Sequence, residues 1–142
     1  MDEKTVITYL NKNLLEGNSC LIPATTTTPK VNMDLEAGEF FFEGRSYPSN
    51  AKNFYYPLIR KIEEYTNNPA KKTNLSFFLE YLDSSSTQLI LTIIKQFTKI
   101  KEDGHELNIE WKYMEDDDDI KDVGKSFSES VEIPFTFMEV YE

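Results

Sequence analysis

Cysteine and histidine are each present once, as Cys20 and His105, among 142 residues. One Cys rules out any internal disulfide framework and fits a reducing cytosol. One His leaves too few ligands for a Cys/His zinc cage and makes any imidazole-dependent triad rely on His105 alone. Glycine is also sparse, and its five copies are scattered at 17, 38, 44, 104 and 124. A phosphate-cradling loop needs several glycines together at a strand–helix turn, so no nucleotide-binding motif is present. No apolar run approaches the roughly 20 residues that span a bilayer. The N-terminus lacks the basic start and apolar core of a secretory signal.

What is abundant is acid and aromatic surface. Ten Phe and eight Tyr accompany a hydrophobic fraction of 39%, enough for a packed core in one domain. The formal charge is −10. It is uneven: residues 1–71 hold 8 basic and 9 acidic side chains, whereas residues 72–142 hold 7 and 16. Such a surface repels phosphate backbones and acidic headgroups, which argues against nucleic-acid or membrane partners and for a cytoplasmic protein.

Hydrophobic periodicity divides the chain into elements. Val6, Ile7, Leu10 and Leu14 lie on one helical stripe, so residues 1–22 read as an N-terminal extension with a short helix, ahead of a domain over 23–142. Thr25–Thr28 read as a polar linker. Val31 and Met33, a turn at Ala37-Gly38, and the returning Phe40–Phe42 predict a β-hairpin closed by Gly44. Ser49 or Asn50 can cap a helix carrying Phe54, Tyr55, Leu58, Ile59 and Ile62, with a kink or late start expected at Pro57. Leu75 to Leu82 are apolar on both faces, as in a central strand covered on both sides. A strong helix follows, with Leu89, Ile90, Ile93, Ile94, Phe97 and Ile100 on its stripe. Next come a strand through Leu107, Ile109, Trp111 and Tyr113, a weaker helix around Ile120, Val123 and Phe127, and a last strand over Phe135–Tyr141. The βαβ unit implies parallel neighbours and a right-handed crossover. The fold class is α/β, a single domain with a mixed β-sheet opened by an N-terminal hairpin and helices packed on the sheet.

Three features bear on chemistry. His105 lies in the turn after the strong helix, about 25 Å from the serines that begin it, so a Ser–His pair fails on geometry. Glu115–Asp119 are carboxylates suited to a hard cation, but consecutive acids cannot all face one ion; they read as a solvated loop capping the next helix, and no metal or cofactor site is assigned. The third is the turn Asp83-Ser84-Ser85-Ser86-Thr87 between central strand and main helix. Asp and Ser are favoured N-caps and need no further purpose. Four hydroxyls exceed one cap, however, and they stand at the carboxyl edge of a sheet, where sites collect. A phosphate there meets free N–H groups and the positive end of the helix dipole.

Leu82-Asp83-Ser84-Ser85 resembles the Asp-Ser-Ser-Gly turn of anti-sigma factor antagonists with STAS domains, in which the Ser after the Asp is phosphorylated. A wider match runs from Thr28 onward. It includes Gly44-Arg45-Ser46-Tyr47-Pro48, Phe54 through Pro57-Leu58, Leu79 through Ser86, Ile109-Glu110-Trp111-Lys112-Tyr113 and Ile133-Pro134-Phe135. These segments resemble the SiaC family of regulatory phosphoproteins, formerly a domain of unknown function with a STAS-like fold. That resemblance implies a STAS-like domain without enzymatic activity. It puts the phosphorylated hydroxyl on Ser84, with Ser85 and Ser86 as alternates, and the partner-binding surface on Asp83, Ser84, Ser85, Ser86 and Thr87. It also implies a cognate kinase, a PP2C-like phosphatase and an effector such as a diguanylate cyclase. The STAS likeness leaves open a second role, as an anti-sigma factor antagonist controlling transcription by partner switching.

Overall fold

The computed structural model describes residues 1–13 and 17–142. Six strands form one sheet in chain order: β1 (Ser19–Ile22), β2 (Lys30–Asp34), β3 (Glu39–Ser46), β4 (Lys72–Leu82), β5 (Glu106–Met114) and β6 (Thr136–Val140). The first three strands are antiparallel neighbours; β3 to β6 run parallel. Helices α2 (Ala51–Asn67), α3 (Ser84–Glu102) and α4 (Asp118–Val131) make the three crossovers, and α1 (Glu3–Asn13) precedes the sheet.

Sequential strand order has a direct consequence. Each crossover advances the sheet by one strand in the same direction, so a common right hand puts every crossover helix on the same face. The burial pattern agrees. Val31 and Met33, Phe40 and Phe42, Leu75, Phe77 and Leu79, and Ile109 and Trp111 alternate inward and are at most 2% exposed. Against them pack Phe54, Leu58 and Ile62 of α2, Ile90, Ile93, Ile94 and Phe97 of α3, and Ile120 and Phe127 of α4. Edge-to-face contacts knit the layers, with Phe40 to Phe97 at 4.8 Å and Trp111 to Phe127 at 5.5 Å.

This layering corrects the expectation that β4 is covered on both sides. Its alternate residues Asn74, Ser76 and Phe78 point to the helix-free face and stay half-exposed. Ser76 donates to Glu110 across that face at 3.2 Å, and Lys112 stands over the Phe41 ring. Three of the four alternate positions from 74 to 80 are polar, the signature of a half-solvated strand that Phe78 alone obscures.

The predicted hairpin is present, closed by Gly38 at φ 72° with its N–H donating to the Asp34 carbonyl at 2.9 Å. Strand β3 does not end at Gly44 but continues to Ser46 through a register slip against β4. Nor is Pro57 a late start. Asn50 caps α2, accepting from Asn53 N–H at 3.2 Å, and the helix runs from Ala51 through Pro57 to Asn67. Full burial of Phe54, Tyr55, Leu58 and Ile62 outweighs the roughly 3 kcal/mol that an internal proline costs.

At the N-terminus, Val6 and Leu10 of α1 are 1% exposed and α1 packs on α2, while Leu14 lies outside the described residues. Ser19–Ile22 pair with β2, so the sheet begins before the expected boundary at residue 23. Thr25–Thr28 are not a bare linker. The Thr25 hydroxyl accepts from the N–H groups of Thr27 and Thr28, and Thr28 is fully buried.

One contact fixes α4 closely. A Cβ built on Gly124 meets Trp111 Cδ1 at 2.4 Å, and that indole is itself tied by its Nε1–H to the Ile120 carbonyl at 2.9 Å. Gly124→Ala is therefore expected to destabilise by about 1–3 kcal/mol through overpacking. Thermal denaturation reads this as a lowered Tm; an unchanged Tm would show that α4 has room to shift.

Candidate functional site

Parallel β3 and β4 deliver their carboxyl ends, Ser46 and Leu82, to the same sheet edge. The helices that follow them therefore begin there, and α2 and α3 open side by side. This is the edge at which open α/β sheets collect their sites.

Asp83 is the N-cap of α3, with extended backbone at φ −80° and ψ 175°. Its carboxylate accepts from Ser86 N–H at 2.8 Å, and its carbonyl accepts from the N–H and hydroxyl of Thr87 at 2.9 and 2.8 Å. The Asp83 N–H in turn donates to the Ser46 carbonyl at 3.0 Å. One residue thus closes the helix mouth and ties it to β3.

The hydroxyls of the turn divide into two classes. Ser86 and Thr87 are used inward: Thr87 back-bonds to Asp83, and Ser86 is fully buried with its Oγ 2.7 Å from Ser46 Oγ. Ser46 Oγ lies a further 2.5 Å from the Tyr55 hydroxyl, and both residues are fully buried. Ser84 and Ser85 are exposed, and neither hydroxyl bonds to another described residue. Their N–H groups stand ahead of the first intrahelical bond, as in any first turn. Ser86 thus departs from the expectation of an exposed partner-facing hydroxyl, because helical geometry turns the third residue of α3 onto the sheet. Burial raises the Tyr55 hydroxyl pKa above its ordinary value, opposed by its hydrogen bonds to Ser46 and Ser86.

Ser85 also lines a groove of about 390 Å³ between the first turns of α2 and α3, with Ser49, Asn50, Lys52, Tyr56, Gln88, Leu89 and Thr92. Behind it stands Glu3 of α1. Its carboxylate accepts from Ser49 N–H at 2.9 Å, Asn50 N–H at 3.3 Å and the Thr27 hydroxyl at 2.7 Å. Sequence reasoning missed Ser46, Tyr55 and Glu3. A polar residue closing an apolar strand was the available signal for Ser46; Tyr55 reads as one more core aromatic, and nothing local marks Glu3.

The other candidates lie elsewhere. His105 is exposed in the turn between α3 and β5, at the opposite edge of the sheet. In the acidic run, Asp117 caps α4 by accepting from Ile120 N–H at 3.0 Å, and Asp118 and Asp119 occupy its first turn. Among the described residues no three His, Cys, Asp or Glu side chains converge to hold a metal ion, and no helix is long and apolar enough to cross a membrane.

Residues 22–140 match the family model described as SiaC family regulatory phosphoprotein. The chain belongs to that family. By sequence the chain is similar to an uncharacterized protein of Pseudomonas aeruginosa strain UCBPP-PA14, 25% identical over 114 residues, or 80% of this chain and 90% of that one. Among solved structures, Pseudomonas aeruginosa SiaC in complex with the diguanylate cyclase SiaD, which it activates, superposes with a TM-score of 0.78 at 24% identity. The match covers 85% of this chain and 99% of that one. Apo-SiaC from the same organism gives 0.76 at 24% identity, covering 86% and 99%. The family match thus takes in β2 to β6 and the three crossover helices, and α1 lies ahead of it.

Two measurements test the site's construction. Asp83→Ala removes the cap and is expected to cost about 0.5–2 kcal/mol, read by denaturant unfolding. Tyr55 keeps its proton in the folded state beyond the unfolded pKa near 10, so the folded state binds more protons above that pH. Its stabilisation is complete below about pH 10 and declines as pH rises further. Tyr55→Phe is expected to flatten the alkaline fall in stability; an identical pH profile would count against this assignment.

Proposed function

We propose that this protein is a switch without catalytic activity of its own, set by phosphorylation of Ser84 and read by an effector protein. The carrying observation is the division of the turn: of the hydroxyls at the mouth of α3, only Ser84 and Ser85 face solvent and are unengaged. The family resemblance supports Ser84 as the acceptor, and Ser84 stands clear of the groove that Ser85 lines. The burial of Ser86 favours the two exposed hydroxyls over it as acceptor. Asp83, Ser84, Ser85 and Thr87 form the partner-facing rim, and Ser86 supports it from below.

A cognate kinase and a PP2C-like phosphatase set the state of Ser84 in the cytoplasm. Phosphorylation adds about 1.5 to 2 negative charges beside the first N–H groups of α3, where the helix dipole accommodates them. The same charge changes the docking surface, raising desolvation and like-charge penalties for a partner fitted to the unmodified turn. Since Pseudomonas aeruginosa SiaC is an activator solved with a diguanylate cyclase, a cyclase of that class is the expected effector here. Family membership favours this reading over that of an anti-sigma factor antagonist.

Phosphopeptide mapping of protein from its own cells is expected to find one phosphoryl group on Ser84, removed by a PP2C-type phosphatase. Against a diguanylate cyclase encoded in the same genome, Ser84→Ala is expected to bind as the unmodified protein does, and Ser84→Asp about tenfold or more weakly. Equal binding by both variants would remove Ser84 from the mechanism.

A further inference from the structure

The turn that presents Ser84 is held from beneath by a set of three buried hydroxyls. We propose that Tyr55, Ser46 and Ser86 act together as positioning residues that fix the Ser84–Ser85 turn against α2; its relevance to modification rests on the reading above. The three are fully buried, with Tyr55 to Ser46 at 2.5 Å and Ser46 to Ser86 at 2.7 Å. Tyr55 belongs to the apolar core, and no buried side-chain polar atom among the described residues is left without a partner. A buried hydroxyl is costly unless bonded, so each of these three depends on the others.

Their placement is what gives the set a role. Ser46 is the last residue of β3, Tyr55 sits in the second turn of α2, and Ser86 is the third residue of α3. Ser46 grips the turn at two points. Its carbonyl accepts from Asp83 N–H at 3.0 Å, and its hydroxyl bonds Ser86. Between those anchors lie two residues, Ser84 and Ser85, and these are the ones whose hydroxyls face outward. Clamped at both ends, the span has little freedom to withdraw or swing away from the groove beside α2. Tyr55 extends the clamp to α2, so the exposed hydroxyl is presented in a fixed relation to both helix mouths. Apolar side chains at these positions fill space but leave the first turn of α3 free to slide along the sheet edge.

The test is amide hydrogen exchange on the full chain. Tyr55→Phe deletes one oxygen and leaves the ring in place, so the fold is retained; Ser86→Ala attacks the same set from the other end. Tyr56→Phe, next along α2 with its ring partly exposed, is the control. Tyr55→Phe and Ser86→Ala are each expected to speed exchange at the bonded amides of residues 83, 86 and 87 about tenfold, with exchange in the centres of β4 and β5 little changed and Tyr56→Phe without effect. Exchange that rises evenly along the chain, or does not rise at the turn, overturns the proposal by making the hydroxyls a general stability element or an idle one. Phosphate occupancy at Ser84, measured in the cells of origin, separates the two readings. A local exchange response with no phosphate on the unaltered protein upholds the clamp and removes only the modification reading. A phosphorylated Ser84 without a local response does the reverse.

Discussion

Everything in this molecule follows from a sheet that grows in one direction. Because β3, β4, β5 and β6 are laid down in order and in parallel, each connection is a crossover of the same hand, and the helices share one face. That constraint concentrates the core on one side of the sheet, where Phe40, Phe77, Phe97 and Trp111 interlock. It also brings the starts of α2 and α3 together at one edge. The polar turn owes its location to this geometry before any residue in it is considered.

At that edge the protein faces a conflict between capping and presentation. A helix mouth asks for hydroxyls and carboxylates to satisfy its first N–H groups, and a modifiable hydroxyl must remain unused. The turn resolves this by assigning tasks along its length. Asp83 caps, Thr87 back-bonds, Ser86 descends into the core, and Ser84 and Ser85 are left over. The abundance of serine that looked redundant is a division of labour imposed by helical pitch.

How much of this was legible beforehand depended on the range of the interaction involved. Local signals were dependable: the hairpin at Ala37-Gly38, the Asn50 cap, the α3 stripe and the Asp83 turn all rest on neighbours within a few residues. The errors came where distant packing decides. Pro57 is carried inside α2 because the surrounding core holds both of its flanks, and Gly44 does not end β3 because β4 supplies a partner beyond it. Phe78 disguised a half-solvated strand as a doubly covered one. Within the site, the turn was readable, yet its support was not, since Ser46 and Tyr55 are 40 and 31 positions from Ser86 and share no local pattern with it. Hydroxyls that meet only after folding leave no periodic trace.

The fastening of α1 carries a consequence for how its sequence can drift. Glu3 is received by the backbone of Ser49 and Asn50 and by the side chain of Thr27. Recognition by main-chain donors depends on the path of the loop and is indifferent to the identities strung along it. The residue at 49 can therefore be exchanged for any other that keeps its N–H, with α1 held in place as long as an acid stands at position 3. The attachment is written in the shape of the loop, and its side chains carry little of it.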